Sequence, residues 1–62
     1  MERENILKTI DEIKQNLYIT ENKFNNTTEP ILIDSYIYEL KALQMQYKFY
    51  MKLCKEQGIK FI

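Results

Sequence analysis

The sequence contains no histidine and no tryptophan, and it has one cysteine, one glycine and one proline in 62 residues. Without histidine, neither a Ser-His-Asp triad nor the Glu-x-x-His pairs of a helical di-iron site can be built. A single glycine cannot make a glycine-rich phosphate loop. We therefore expect a protein that is not an enzyme and that holds no cofactor or metal.

The short length of the chain limits how the fold can be stabilised. A chain of 62 residues forms one domain at most, and a core of this size gives marginal stability alone. Small domains usually add a disulfide, a structural metal or a second subunit. The lone Cys54 cannot form an internal disulfide, and the sequence offers almost no zinc ligands. Association with a second subunit is the remaining option.

Charge and hydropathy do not indicate a membrane partner. Nine basic and nine acidic residues give zero formal net charge. No apolar run approaches the roughly 20 residues that cross a membrane, and Met1 is followed by charged residues instead of a signal-peptide core. The single cysteine is compatible with a reducing compartment. We therefore expect a cytoplasmic protein without a membrane partner.

Apolar side chains recur with helical spacing in two segments, so the expected fold class is all-α. The pattern predicts a helix over about residues 3–24, a loop over about 25–29 and a second helix over about 30–57. A loop this short makes the helices antiparallel neighbours. We therefore predict one helical-hairpin domain over residues 1–62.

Turn and cap residues mark the ends of the second helix. Pro30 suits a first helical turn, and Thr28 or Glu29 is the expected N-cap. Gly58 is the expected residue after the C-cap, and Ile59 is expected to contact the last turn. The short apolar tail of residues 60–62 would either dock on a neighbour or fray.

Each helix carries an apolar row, here called its seam, that we expect to face the other helix. The seam of the first helix consists of Ile6, Ile10, Ile13, Leu17, Thr20 and Phe24. The seam of the second helix consists of Ile33, Tyr36, Leu40, Leu43, Tyr47, Tyr50 and Cys54. Folding the hairpin at Thr27 brings the seams into register, with Ile13 facing Leu43. This agreement supports the antiparallel hairpin.

The second helix carries another apolar row on its opposite flank, here called the second stripe. Its members are Ile31, Tyr38, Ala42, Met45, Phe49 and Leu53. One neighbouring helix cannot cover both rows, and a small monomer rarely exposes an apolar patch of this size. We predict that the second stripe is a protein–protein interface. A homodimer that buries it would be a four-helix bundle, and a different protein is the other possible partner.

A row of lysines on the second helix supports an alternative function. The row consists of Lys41, Lys48, Lys52 and Lys55. Lysines in a row can follow nucleic-acid phosphates, and nearby tyrosines can stack on bases. Zero net charge and a single arginine argue against this partner. Such rows are more often solvated helix faces, so nucleic acid is only the alternative.

Cys54 also has two interpretations. Lys52 and Lys55 are close to it in sequence, and cationic neighbours can make a thiol reactive enough to act as a redox sensor. A cysteine at a seam position more often packs as a small apolar side chain. We predict the packing role.

Residues 24–58 resemble a small bacterial family, the YaaL-like proteins of Gram-positive bacteria. The residues that carry the resemblance are Phe24, Thr28, Glu29, Pro30, Leu32, Ile33, Asp34, Tyr36, Ile37, Tyr38, Leu40, Lys41, Ala42, Tyr47, Lys55, Gly58 and Ile59. The first helix is similar only in pattern. The resemblance implies an uncharacterised cytoplasmic protein and supplies no activity, cofactor or functional residue. The function that we expect, helix-mediated protein–protein interaction, rests instead on the second stripe and on the absence of a catalytic constellation.

Overall fold

The computed structural model describes residues 2–59, which form two α-helices that pack against each other. The first helix, α1, spans Arg3–Asn25, and the second, α2, spans Pro30–Glu56. This part of the chain has no strand, so the all-α hairpin is confirmed for it. Neither helix is long and apolar enough to span a bilayer, considering residues 2–59. The sequence predicted that the first helix ends at about residue 24 and the second at about residue 57, each one residue from the end in the structure. The apolar tail of residues 60–62 lies outside the described residues.

The two seams lie between the helices, as predicted. The buried seam residues are Ile6, Ile10, Ile13, Thr20, Leu43 and Cys54. The remaining seam residues of both helices are half-buried. Thr20 is only 3% exposed, so a threonine occupies an apolar position of the period in α1. The hairpin core is therefore one row of side chains from each helix.

The most deeply buried cluster lies at the open end of the hairpin, far from the loop. Ile6, Ile10 and Cys54 are each at most 1% exposed and contact one another. Partly buried side chains surround them: Leu7, Tyr47, Tyr50, Met51, Leu53 and Ile59. Because the cluster joins the start of α1 to the end of α2, it opposes fraying of the chain ends.

Polar side chains organise the connection between the helices. The Nδ2 of Asn26 donates to the backbone oxygen of Asn22 at 2.8 Å, and the backbone N–H of Asn26 donates to the same oxygen at 3.1 Å. The backbone N–H of Glu29 donates to Oγ1 of Thr27 at 3.2 Å. Glu29 occupies the N-cap position of α2, but its side chain makes no capping hydrogen bond. The prediction of Glu29 as a possible N-cap is therefore confirmed, and the hydrogen bond to Thr27 belongs to the connection before the helix.

α2 ends in a Schellman motif, as the glycine position predicted. Gly58 has a φ of 68°. Its N–H donates to the oxygen of Lys55 at 3.2 Å, and the N–H of Ile59 donates to the oxygen of Cys54 at 2.9 Å. Ile59 also packs against the buried cluster. The motif therefore folds the end of α2 back onto the core.

We expect Ile10→Val to lower the free energy of unfolding by about 0.5–1.5 kcal/mol, because Ile10 is almost fully buried. The matched control is Ile19→Val, which removes the same methylene from an exposed position of α1. The control should cost less than about 0.5 kcal/mol. Urea unfolding followed by circular dichroism at one fixed protein concentration measures both. Equal losses would contradict the burial pattern.

Candidate functional site

The outer surface of α2 carries most of the second stripe. At about 100° per residue, the stripe is centred about 150° around the helix axis from the seam. Ile31 is 81% exposed, Tyr38 and Met45 are 72% exposed, and Phe49 is 59% exposed. Ala42 is exposed as well. These five side chains therefore lie on the side of α2 that faces away from α1.

Leu53 differs from the other members of the second stripe. The sequence placed it on the uncovered surface, whereas the structure shows it half-buried against Ile6, Ile10 and Cys54. Its position is about 110° from the centre of the seam, closer to α1 than the rest of the stripe. Leu53 therefore contributes to the core, and replacing it would perturb folding as well as an interface.

The Phe49 ring is held by a residue of the core. Its centroid lies 5.2 Å from that of Tyr50, and the ring planes are 87° apart. This edge-to-face arrangement is a favoured aromatic geometry. Tyr50 in turn packs against the buried cluster. A ring that is already oriented loses less conformational freedom when a partner binds it.

An open groove lies beside Phe49 and is here called the Phe49 groove. It has a volume of about 220 Å³ and is lined by Phe49, Lys52, Leu53 and Glu56. These residues are spaced i, i+3, i+4 and i+7, the spacing of the four residues that form a hole for a side chain of a facing helix. The groove can therefore receive one apolar side chain. The sequence interpretation missed it, although the spacing is visible in the sequence.

Two other grooves lie outside the second stripe. One, on the outer side of α1, is lined by Lys14, Gln15, Tyr18 and Ile19. The other, at the open end, is lined by Met51, Lys52, Cys54, Lys55 and Ile59. The sequence interpretation assigned a role to neither. Tyr18 and Ile19 are 69% and 47% exposed, so α1 also presents an apolar patch to solvent.

The lysine row occupies one exposed side of α2, between the stripe and the seam. All four lysines, Lys41, Lys48, Lys52 and Lys55, are exposed. Asp34 lies on the same side near the start of the helix and is exposed too. The structure therefore brings the predicted lysines onto one face, and Asp34 adds a negative charge at the end of that face nearest the loop.

Cys54 is 1% exposed and belongs to the buried cluster. The groove at the open end reaches Cys54 between Lys52, Lys55 and Ile59, but the side chain itself is covered. Its burial supports the interpretation as a small packed side chain. At 1% exposure, the thiol is largely shielded from a dissolved oxidant.

Reactive side chains are dispersed in the part of the chain that the structure describes. Within residues 2–59, no three histidine, cysteine, aspartate or glutamate side chains come together as a possible metal site. In the same span, no side-chain nitrogen or oxygen is both fully buried and without a hydrogen-bond partner.

Because Cys54 is covered, we expect a chromogenic disulfide reagent to label it slowly in the native protein and fast in denaturant. The control is Gln44→Cys in a Cys54→Ala chain, which puts the thiol on an exposed position of α2. Native labelling of Cys54 should be at least about 100-fold slower than that of the control, following the open fraction of the hairpin. Equal rates would reinstate the redox-sensor interpretation.

Comparison with known proteins identifies one family model that matches this chain. The family model that matches the chain carries the description "Protein of unknown function (DUF2508)" and covers residues 1–61. Neither the curated proteins nor the solved structures give a match. The family description names no activity, so the role of this chain has to be argued from its own surfaces.

Proposed function

This chain belongs to the DUF2508 family of proteins of unknown function, and we propose that it is a non-enzymatic protein that binds another chain through the outer surface of α2. The observation that carries the proposal is the row of exposed apolar side chains along α2. Ile31, Tyr38 and Met45 are each more than 70% exposed, although the opposite side of the same helix is packed. Covering such a surface is favourable by about 25 cal/mol per Å² of apolar area.

The proposed occupant of this surface is a second copy of the chain. A helical domain of 62 residues with one cysteine gains stability most readily by association. Because the stripe faces away from α1, a homodimer places two α2 helices at the centre of a four-helix bundle and both α1 helices outside. Tyr38 and Phe49 of both copies together would supply roughly 500 Å² of the about 1,000 Å² that a specific interface buries.

A helix from a different protein is the other occupant that this surface can take. It would need the same apolar spacing and could use the Phe49 groove in the same way. The solution mass separates the two cases, because only self-association gives a dimer of the purified chain.

We expect light scattering on a sizing column to show a dimer whose fraction rises with concentration. The double variant Met45→Glu with Phe49→Glu should weaken dimerisation on the order of 100-fold, because two charges per copy would have to be buried. The matched control is Tyr18→Glu with Ile19→Glu, which places the same charges on the outer side of α1. Circular dichroism checks that both variants remain helical.

Two results would contradict this assignment. A wild-type monomer at every concentration would remove the second copy as the occupant. A double variant at positions 45 and 49 that stays fully dimeric, or a control that dissociates equally, would show that the second stripe is not the interface.

The lysine row supports an alternative proposal, a nucleic-acid-associated protein. Four exposed lysines share one side of α2, at Lys41, Lys48, Lys52 and Lys55. Their charges are in contact with solvent, so their contribution to binding would be electrostatic and strongly dependent on salt.

Under this alternative, the protein should retard DNA or RNA in a gel at low salt and lose binding as salt rises. Replacing Lys48, Lys52 and Lys55 by glutamine should abolish the retardation. The control replaces Arg3, Lys8 and Lys23 of α1 by glutamine, which changes the net charge by the same amount. Retardation that survives the α2 replacements would contradict a role of the lysine row.

Within the family, we propose that the chain is of the YaaL-like type from Gram-positive bacteria and acts in the cytoplasm. The most distinctive part of that resemblance, residues 33–42, runs along both sides of α2. Ile33, Tyr36 and Leu40 are half-buried in the seam, whereas Tyr38 and Ala42 are exposed on the second stripe. Residues 33–42 therefore include residues of the proposed interface as well as residues of the core.

A further inference from the structure

We infer that the two α2 helices of the proposed dimer run antiparallel and cross at Ala42, with Ile31 of each copy inserted into the Phe49 groove of the other. This inference rests on the proposed homodimer and adds its orientation and register. It draws on three independent features of the outer surface: an exposed apolar side chain, a groove that can hold it, and the charges beside them.

Ile31 and the Phe49 groove lie at opposite ends of α2. Ile31 is the most exposed large apolar side chain of the helix, at 81%. In a parallel pair in register, about 33 Å would separate Ile31 from the groove of the other copy. An antiparallel pair brings the start of one helix to the end of the other. The side chain of Ile31 can then enter the groove as a knob enters a hole.

The groove fixes the register of the antiparallel pair. Its four lining residues are centred between Lys52 and Leu53. Knobs-into-holes packing places Ile31 of one copy at that centre in the other copy. Along the antiparallel pair, each residue then lies opposite the residue whose number, added to its own, gives about 84. The twofold axis then passes beside Ala42. Ala42 is close to the middle of α2, which spans Pro30–Glu56, so the two helices overlap along nearly their full length.

The same register matches large side chains with small ones. Ser35 of one copy lies opposite Phe49 of the other, which leaves room for the ring. Ala42 meets its own copy at the axis, where a small side chain lets the helices approach closely. In a parallel dimer, Tyr38, Met45 and Phe49 would each meet the identical side chain, and these bulky pairs would hold the helices apart.

The charges beside the stripe also favour the antiparallel orientation. Asp34, Lys48 and Lys52 are exposed and flank the stripe on one side. In an antiparallel pair the same flanks of the two helices meet, so Asp34 of one copy lies between Lys48 and Lys52 of the other.

A parallel pair would bring opposite flanks together. Asp34 would then lie beside Glu39 of the other copy, and like charges at such positions disfavour an orientation. One antiparallel contact is unfavourable, because Lys41 meets its own copy beside the axis. The long side chain of Lys41 can turn into solvent and reduce this repulsion.

Cysteine cross-linking tests the register. Single variants are made in the wild-type chain, where Cys54 is buried, and again in a Cys54→Ala chain. Ala42→Cys should form a disulfide with its own copy at least about 10-fold faster than Tyr38→Cys or Met45→Cys. In the inferred register these two positions lie about 12 Å and about 9 Å along the axis from their own copies. A disulfide needs Cα atoms within about 7 Å.

A mixture of two variants gives a second measurement. Ser35→Cys with Phe49→Cys should form the mixed disulfide faster than either variant forms a disulfide with itself. Light scattering and circular dichroism confirm that each variant is dimeric and helical before oxidation.

The outcomes separate this inference from the proposed function. A dimer in which Tyr38→Cys and Met45→Cys cross-link fastest is parallel, which overturns the inference and leaves the homodimer standing. A dimer in which all these positions cross-link slowly has its interface elsewhere, which overturns both. A wild-type monomer at every concentration overturns the homodimer and with it the inferred register.

Discussion

The packing of Ile6 and Ile10 against Cys54 is the contact on which the other features of this hairpin depend. The four-residue connection holds the helices together at one end, and this cluster holds them at the other. It also fixes the rotation of α2 about its own axis. If α2 were rotated about its axis by about 100°, the angle between successive residues, the second stripe would face the edge of α1. The outer surface is therefore a consequence of how the core is packed.

Helical periodicity was sufficient to predict both seams, because every seam residue falls within a narrow arc of its helix. It was not sufficient for Leu53, which lies at the border of the seam. How far the buried surface extends around a helix depends on how many segments pack against that helix. At the open end, Ile59 and the start of α1 both pack near Leu53 and extend the buried surface of α2. The Phe49 groove was missed for a related reason. Its spacing occurs along every helix, and only packing decides where space is left open.

Phe49 and Tyr50 are adjacent in sequence and belong to different surfaces of α2. Their rings nevertheless touch edge to face, so the outer surface and the core share a direct contact. A partner bound at Phe49 would therefore contact a ring that already packs against Tyr50. In the same way, Leu53 lines the Phe49 groove and packs on the buried cluster. Folding and the proposed association would therefore rely partly on the same side chains.

The short connection has a consequence for the order in which structure forms. Contacts near the loop join residues that are close in sequence, whereas the cluster of Ile6 and Cys54 closes almost the whole chain. The entropy cost of closure rises with chain separation, so we expect the contacts near the loop to form before the buried cluster. Closing a hairpin is an intramolecular step whose rate does not depend on protein concentration, whereas the rate of meeting a partner does. In the proposed dimer, the outer surface of α2 would therefore be formed before a second copy binds it.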